Sequence, residues 1–198
     1  GGGNLAGLVR GAHREDNIGT GALPWIYPMS TFYNDARTQI IYMTNEIGSA
    51  GSVTGLAINV STIPGQTMNN WTIRMKHTDL SVFPIAPTWD SSGWTIVYQT
   101  NEPPGSTGWR SFLFTSPFEY NGSSNLMMDF SFNNSTFTTD GKILSTLVGT
   151  VRSIEFRTDD PLGDPLTWSG SNPTPVGDFR IANIRLFTKT DDRIIPIA

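Results

Sequence analysis

The chain has 198 residues, a formal net charge of −4, only 15% charged residues and no cysteine. That length holds one sizeable β domain with a core that needs no staples. The composition excludes a disulfide framework, a thiolate metal site and a cysteine nucleophile, and the acidic balance argues against a nucleic-acid partner, for want of a basic stripe to neutralise phosphates.

In chain order, the opening GGGNLAGLVRGAHRED reads as a linker or N-terminal arm over 1–17, part of something longer. A single domain is expected over 18–190 and a tail over 191–198. From GTGALP onward, turn-forming Gly, Pro, Asn, Asp and Ser clusters recur every 8–15 residues, with β-branched and aromatic runs between them. Strands are predicted over 38–44, 53–60, 70–77, 94–99, 109–115, 125–132, 150–157 and 179–188, with one short helical turn near 44–49. Alternation supports several of these. In WTIRMKH, Trp71, Ile73, Met75 and His77 share one face, and in NLMMDFSF, Leu126, Met128, Phe130 and Phe132 do. FRIANIRLF is partly apolar on both faces and reads as a central strand. Trp94 and Trp109 frame the turn NEPPGSTG, which predicts a hairpin with the two rings as cross-strand neighbours closing the core. The fold class is all-β: an antiparallel β-sandwich, in jelly-roll arrangement, of eight to ten strands. No apolar run approaches the ~20 residues of a membrane span.

The phrases IGTG, YPMSTFYNDARTQIIYMTNEIGSAG, VTGLAINV, WTIRMKHTDL, GWTIVYQ, TGWRSFLFTSPFEYNGSSNLMMDFSFNN and GDPLTWSG occur in that order. Together they resemble a recurrent β-sandwich module of large secreted or cell-surface bacterial proteins, of gliding-type and planctomycete-type lineages. The resemblance runs from about Ile18 to Phe187 and implies an extracellular or cell-surface setting beside neighbouring domains of a longer chain. FRIANIRLF is also similar to the closing strand of galactose-binding-like jelly rolls, which include many carbohydrate-binding modules. That resemblance implies an aspartate ligand to structural Ca²⁺ in this strand. Here the position is Ala182, with Asp178 close by.

Catalytic constellations are not evident. His77 ends a strand on its apolar face and reads as a hydrogen-bonded structural residue, and His13 lies in the arm. Neither belongs to a triad, no HExxH, GxSxG or phosphate loop is present, and pairs such as Glu119 and Asp129 are not singled out for acid–base work. The expectation is a non-enzyme. Oxygen ligands for calcium gather at Asp159, Asp160 and Asp164, with Asp178 further on. In FYNDARTQ, Asp35 and Arg37 lie two apart on one side, either a ligand-gripping pair or an ion pair fixing the start of a strand. Trp71 belongs to the core by its phase. Trp25, Trp89 and Trp168 instead lie in turn-like segments and, with Tyr27 and Tyr33, form either a contact surface or plugs over the sandwich ends. The first expectation is therefore a carbohydrate-binding accessory domain for a polysaccharide or glycan. Sugar rings would stack on the loop aromatics, with hydroxyl contacts from Asn34, Asp35, Arg37 and Asp90. The alternative is a structural or adhesion module built for protein–protein assembly at the cell surface.

Overall fold

A computed structural model describes residues 11–190, together with the backbone of two short terminal strands. The strands are β1 (Ala6–Val9), β2 (His13–Ile18), β3 (Leu23–Trp25), β4 (Asp35–Tyr42), β5 (Gly51–Thr62), β6 (Met68–Thr78), β7 (Thr95–Glu102), β8 (Gly108–Tyr120), β9 (Asn125–Asn133), β10 (Lys142–Leu147), β11 (Ser153–Thr158), β12 (Val176–Asp178), β13 (Arg180–Ala182), β14 (Ile184–Lys189) and β15 (Arg193–Pro196). Two 3-10 turns, Thr44–Glu46 and Pro165–Thr167, complete the regular structure. The fold is an antiparallel β-sandwich, as the turn spacing predicts.

Sheet I contains seven strands, with β2, β14 and β5 side by side, β8 on the far side of β5, and β10 joining β5, β13 and β3. Sheet II has six strands in the order β12-β11-β4-β9-β6-β7. The total exceeds the expected eight to ten because short strands such as β3 and β12 carry too few residues to show a period. The main core lies between the sheets. The expected inward set of β6 and β9, from Trp71 to Phe132, is in it, with Phe112 of β8 and Leu56 and Ile58 of β5 opposite. Trp71 stacks on Phe130 at 5.9 Å. His77 packs on Phe118, accepts the Asn121 N–H at 3.1 Å and has its pKa lowered by burial, in keeping with a structural residue.

Three expectations change. Residues 13–17 are not a free arm: β2 pairs with β14 from Ile18↔Ile184 to His13↔Lys189. At the other end, the backbone of β15 within the expected tail pairs with β1. Second, 179–188 is not one strand. It breaks at buried Asn183, whose side chain accepts from Thr146 and donates to Gly21 O, so β13 pairs with β10 and β14 with β2 and β5. Third, β7 and β8 belong to different sheets, so Trp94 and Trp109 are not cross-strand neighbours. Their segment 103–107 crosses between sheets. Trp109 lies against Arg185 at 4.1 Å, and Trp94 covers Arg74 and Lys76 at 5.3 and 5.5 Å.

Every residue of β4 is buried, so the outer face of sheet II is covered as well. Its cover is the segments flanking Trp89 and Trp168, which lie over Ile41, Met127 and Ile154 as a second apolar cluster with Phe83. Among the described residues no helix is long and apolar enough to cross a membrane.

Candidate functional site

The tryptophans singled out by sequence are sealed. Trp25, Trp89 and Trp168 are 1%, 3% and 2% exposed, which corrects their assignment as a stacking surface and leaves the plug reading. Trp25 sits on β3, paired with Ile143 of β10. Trp89 and Trp168 lie 5.9 Å apart in the second cluster. Their indole N–H groups donate to Pro173 O at 2.8 Å and Leu162 O at 3.3 Å. The physical reason is the apolar outer face of sheet II: a loop aromatic beside an uncovered Ile and Met surface is driven onto it.

Arg37 does not pair with Asp35. Its side chain is fully buried on that outer face, with Nε donating to Asp129 Oδ2 at 2.8 Å. The guanidinium also donates to Pro165 O, Trp168 O and Asp90 O and stands 4.7 Å from the Trp89 ring centroid. Gln39 Nε2 donates to the same Asp129 oxygen and to Asp90 O, and the Asp90 N–H returns a bond to Gln39 Oε1. Arg74 Nη2 stands 3.1 Å from Asp129 Oδ1, an ion pair without hydrogen-bond alignment. The Asp90 carboxylate is taken by Lys76 at 2.7 Å. Arg37 and Asp90 are thus a clasp that pins two loops to the sheet, which corrects their placement as hydroxyl-binding groups.

The acidic candidates do not all come together. Asp178 lies opposite Ser153 and Asp35 opposite Thr158, at the two ends of β11. Asp159 accepts from Asn34 N, Asp164 from Leu166 N and Asn70 Nδ2, and Asp178 from Arg180 N, while Asp160 donates its N–H to Thr158. Among the described residues no group of three or more acidic or histidine side chains is placed to hold a metal. Asp35 is 7% exposed with Oδ1 unpartnered, and its pKa is pushed up to about 7 by burial first and then by Asp164 and Asp159.

Tyr33 and Asn34 fare differently. They lie at one end of the sandwich, where the segment 29–34 is bonded to 134–141. Thr138 N donates to Thr31 O, Gly141 N to Met29 O and Asn134 N to Asn34 O, each at 2.8–2.9 Å, and Thr31 Oγ1 donates to Thr139 O at 2.6 Å. Two glycines permit this approach: a Cβ on Gly141 would stand 2.9 Å from Met29 O, and one on Gly65 would stand 2.8 Å from Thr139 N. On the joined segments Phe32 and Phe137 remain 51% and 59% exposed, with ring centroids 6.1 Å apart. Tyr33 lies edge-on to Phe32 at 5.7 Å. Beside them, Asp140 Oδ1 accepts from Ser30 Oγ at 3.0 Å and Phe32 N at 3.1 Å. Arg157 stacks on Tyr33 at 4.5 Å and places Nη1 2.9 Å from Ser30 Oγ and 3.3 Å from Asp140 Oδ2. Both charged side chains are partly open to solvent. Tyr27 is buried behind this group, with the Arg157 guanidinium 6.0 Å from its ring, and burial raises its phenol pKa. At 6% exposure it offers almost no surface of its own and supports the patch from beneath.

Phe32, Phe137, Asp140 and Arg157 were not singled out from sequence. A signal was present: in STFYND and NSTFTTDG the aromatics stand among Ser, Thr, Asn and Asp, with no apolar periodicity to bury them.

No family model matches the chain, and neither does any curated protein. Among solved structures, one similarity is to the crystal structure of the cysteine protease and lectin-like domains of Cwp84, a surface layer associated protein of Clostridium difficile. The TM-score is 0.43 and the identity 9%, over 80% of this chain. The match spans 33% of that chain. At this level of similarity no ligand or activity transfers from one to the other.

Proposed function

We propose that the chain is a non-catalytic carbohydrate-binding domain of an exported, multidomain protein. Its contact surface is the Phe32–Tyr33–Phe137 patch with Asp140, Arg157 and Asn34. One observation carries this reading: two large aromatic rings stay half-exposed on segments whose backbones are bonded to each other, beside a carboxylate and a guanidinium. Exposed phenyl rings offer apolar faces to the C–H surface of a pyranose, and the charged pair offers an acceptor and donors to its hydroxyls. A rigid scaffold reduces the ordering cost of binding. Such a domain holds its neighbours close to a glycan and needs no chemistry of its own.

Affinity electrophoresis against a panel of soluble polysaccharides tests the reading. Phe32→Ala and Phe137→Ala are each expected to weaken retention about tenfold, roughly 1.4 kcal/mol. Trp109→Ala, on the outer face of sheet I, is expected to leave it unchanged. No retention of the parent on any glycan would falsify the proposal.

A second reading, protein–protein assembly, draws on another surface. The segment 79–88 leaves Leu80, Val82 and Ile85 exposed, Ile85 completely, and Leu80 lines an open cleft of about 400 Å³. Concentration-dependent association in sedimentation velocity that Ile85→Asp abolishes is the result that favours it.

A further inference from the structure

We infer that the patch recognises a single sugar residue carrying a free vicinal pair of hydroxyls, on a soluble chain, and does not recognise the face of a crystalline polysaccharide. This rests on the carbohydrate reading above and narrows it to a ligand class.

The first observation is the attitude of the rings. Phe32 and Phe137 are inclined at 55°, and Phe32 and Tyr33 at 69°. A flat array of parallel chains is bound by rings that share one plane. Phe32 shares its plane with neither neighbour, so a flat surface lying on the Phe32 face would meet the other two rings inclined to it. A lone sugar residue has faces and edges of its own and meets inclined rings without that loss. The bonds joining 29–34 to 134–141 fix the spacing of the backbone positions from which Phe32 and Phe137 project.

The second observation is the division of hydrogen-bonding capacity at the charged pair. Asp140 Oδ1 is saturated by Ser30 Oγ and the Phe32 N–H, leaving Oδ2 as the oxygen with capacity to spare. Arg157 spends Nη1 on Ser30 Oγ and Asp140 Oδ2, leaving donors on Nη2 and Nε. One free acceptor therefore stands beside free donors, with the bridging atoms 3.3 Å apart. Neighbouring hydroxyls on a pyranose match that pattern: one donates to the carboxylate while the next accepts from the guanidinium. Charge-assisted bonds of this kind are stronger than neutral ones, and a hydroxyl converted to a linkage, an ether or an amide loses one of them. Arg157 is itself positioned by its stack on Tyr33, so the aromatic and polar halves of the patch move as one.

The test uses the whole chain and alters the ligand before the protein. Retention is measured on dextran, whose 1,6-linked residues keep vicinal hydroxyls, on a linear 1,3-linked glucan, whose internal residues lack them, on yeast mannan and on microcrystalline cellulose. Each soluble polymer is then oxidised with periodate, which cleaves vicinal diols to dialdehydes, reduced with borohydride so that no aldehyde remains to react with lysines, and retested. The expected result is binding to a soluble polymer with free diols, at least tenfold weaker after oxidation, and no preference for the crystalline solid. Asp140→Asn should match that loss with the thermal midpoint within a few degrees of the parent. Retention that depends on Phe32 and Phe137 but survives oxidation, or that favours cellulose, overturns this inference while the carbohydrate reading stands. No binding to any of these polymers overturns both. Because the oxidation is carried out on the polymer before the protein is added, a misfolded variant cannot mimic the expected loss.

Discussion

Asp129 shows how much a single side chain holds in this protein. It is fully buried and faces two arginines, with Arg37 and Gln39 on one oxygen and Arg74 beside the other. Removing a buried carboxylate leaves its cations desolvated without compensation, which costs more than the pair contributes. Asp129→Leu is therefore expected to lose about 3–5 kcal/mol of unfolding free energy in urea titrations. Arg180→Ala, which breaks a half-exposed pair with Asp178 at 3.6 Å, should change it by less than about 1 kcal/mol. The same residue-level logic gives a pH dependence. Burial pushes Asp35 up to about 7 and Glu155 up to about 8, Asp178 adding to the latter. Both folded-state values lie above the unfolded value near 4, so over this interval the folded state binds more protons than the unfolded one. Their contribution is full below about pH 4 and is lost as pH rises through about 7 to 8. The urea midpoint should fall between about pH 5 and pH 8, and Asp35→Asn should flatten the fall; a midpoint that rises over that interval contradicts the assignment. None of this was visible in FYNDARTQ. Asp35 and Arg37 are close in sequence, but Arg37 finds its carboxylate 92 positions away, on the neighbouring strand. Spacing along one strand fixes which face a side chain takes and says nothing of what the adjacent strand brings to that face.

At the scale of elements, period-2 alternation located β6 and β9 and their inward faces correctly. The signal comes from the requirement that one face be apolar, so it works for any strand lining the core. It fails where both faces are covered. The outer face of sheet II mixes Met127 and Ile41 with Asp129, Arg37 and Gln39, and only the loops laid over it explain that mixture. For the same reason Trp89 and Trp168, taken alone, read equally as plugs or as a contact surface. The loops that form the proposed binding patch have a different basis, main-chain bonding with glycines at the closest approaches. Gly141→Ala places a methyl 2.9 Å from both Met29 O and Met29 Cβ, which are not free ends able to swing aside. Overpacking of this kind costs about 1–3 kcal/mol and parts the two segments. The expected outcome is a lowered thermal midpoint together with weakened glycan retention. A variant that loses stability and keeps full retention would show that the patch does not depend on the joined segments.

Across the whole molecule, the strand that sequence reading set aside as an arm closes the sheet. β14 carries Ile184, Leu186 and Phe187, and it lies between β5 and β2. Without β2 it would be an edge strand with unpaired N–H and C=O groups along an apolar run, the arrangement that templates aggregation. β2 replaces that edge with one bearing His13, Arg14, Glu15 and Asp16, whose charges discourage pairing with another chain. It is also anchored sideways: Arg14 bonds Asp16 and reaches Ser49 O at 2.7 Å, next to the start of β5. Deleting residues 1–17 is therefore expected to do more than shorten a linker. The shortened chain should melt at lower temperature and form thioflavin-positive or sedimenting aggregates at concentrations where the parent stays monomeric. A milder change, Arg14→Ala, removes the anchor and keeps the strand, so it should lower the midpoint without provoking aggregation. If the deleted chain melts and sediments like the parent, β2 contributes nothing to closure, and the boundary of the folded unit lies at Ile18 as its sequence suggested.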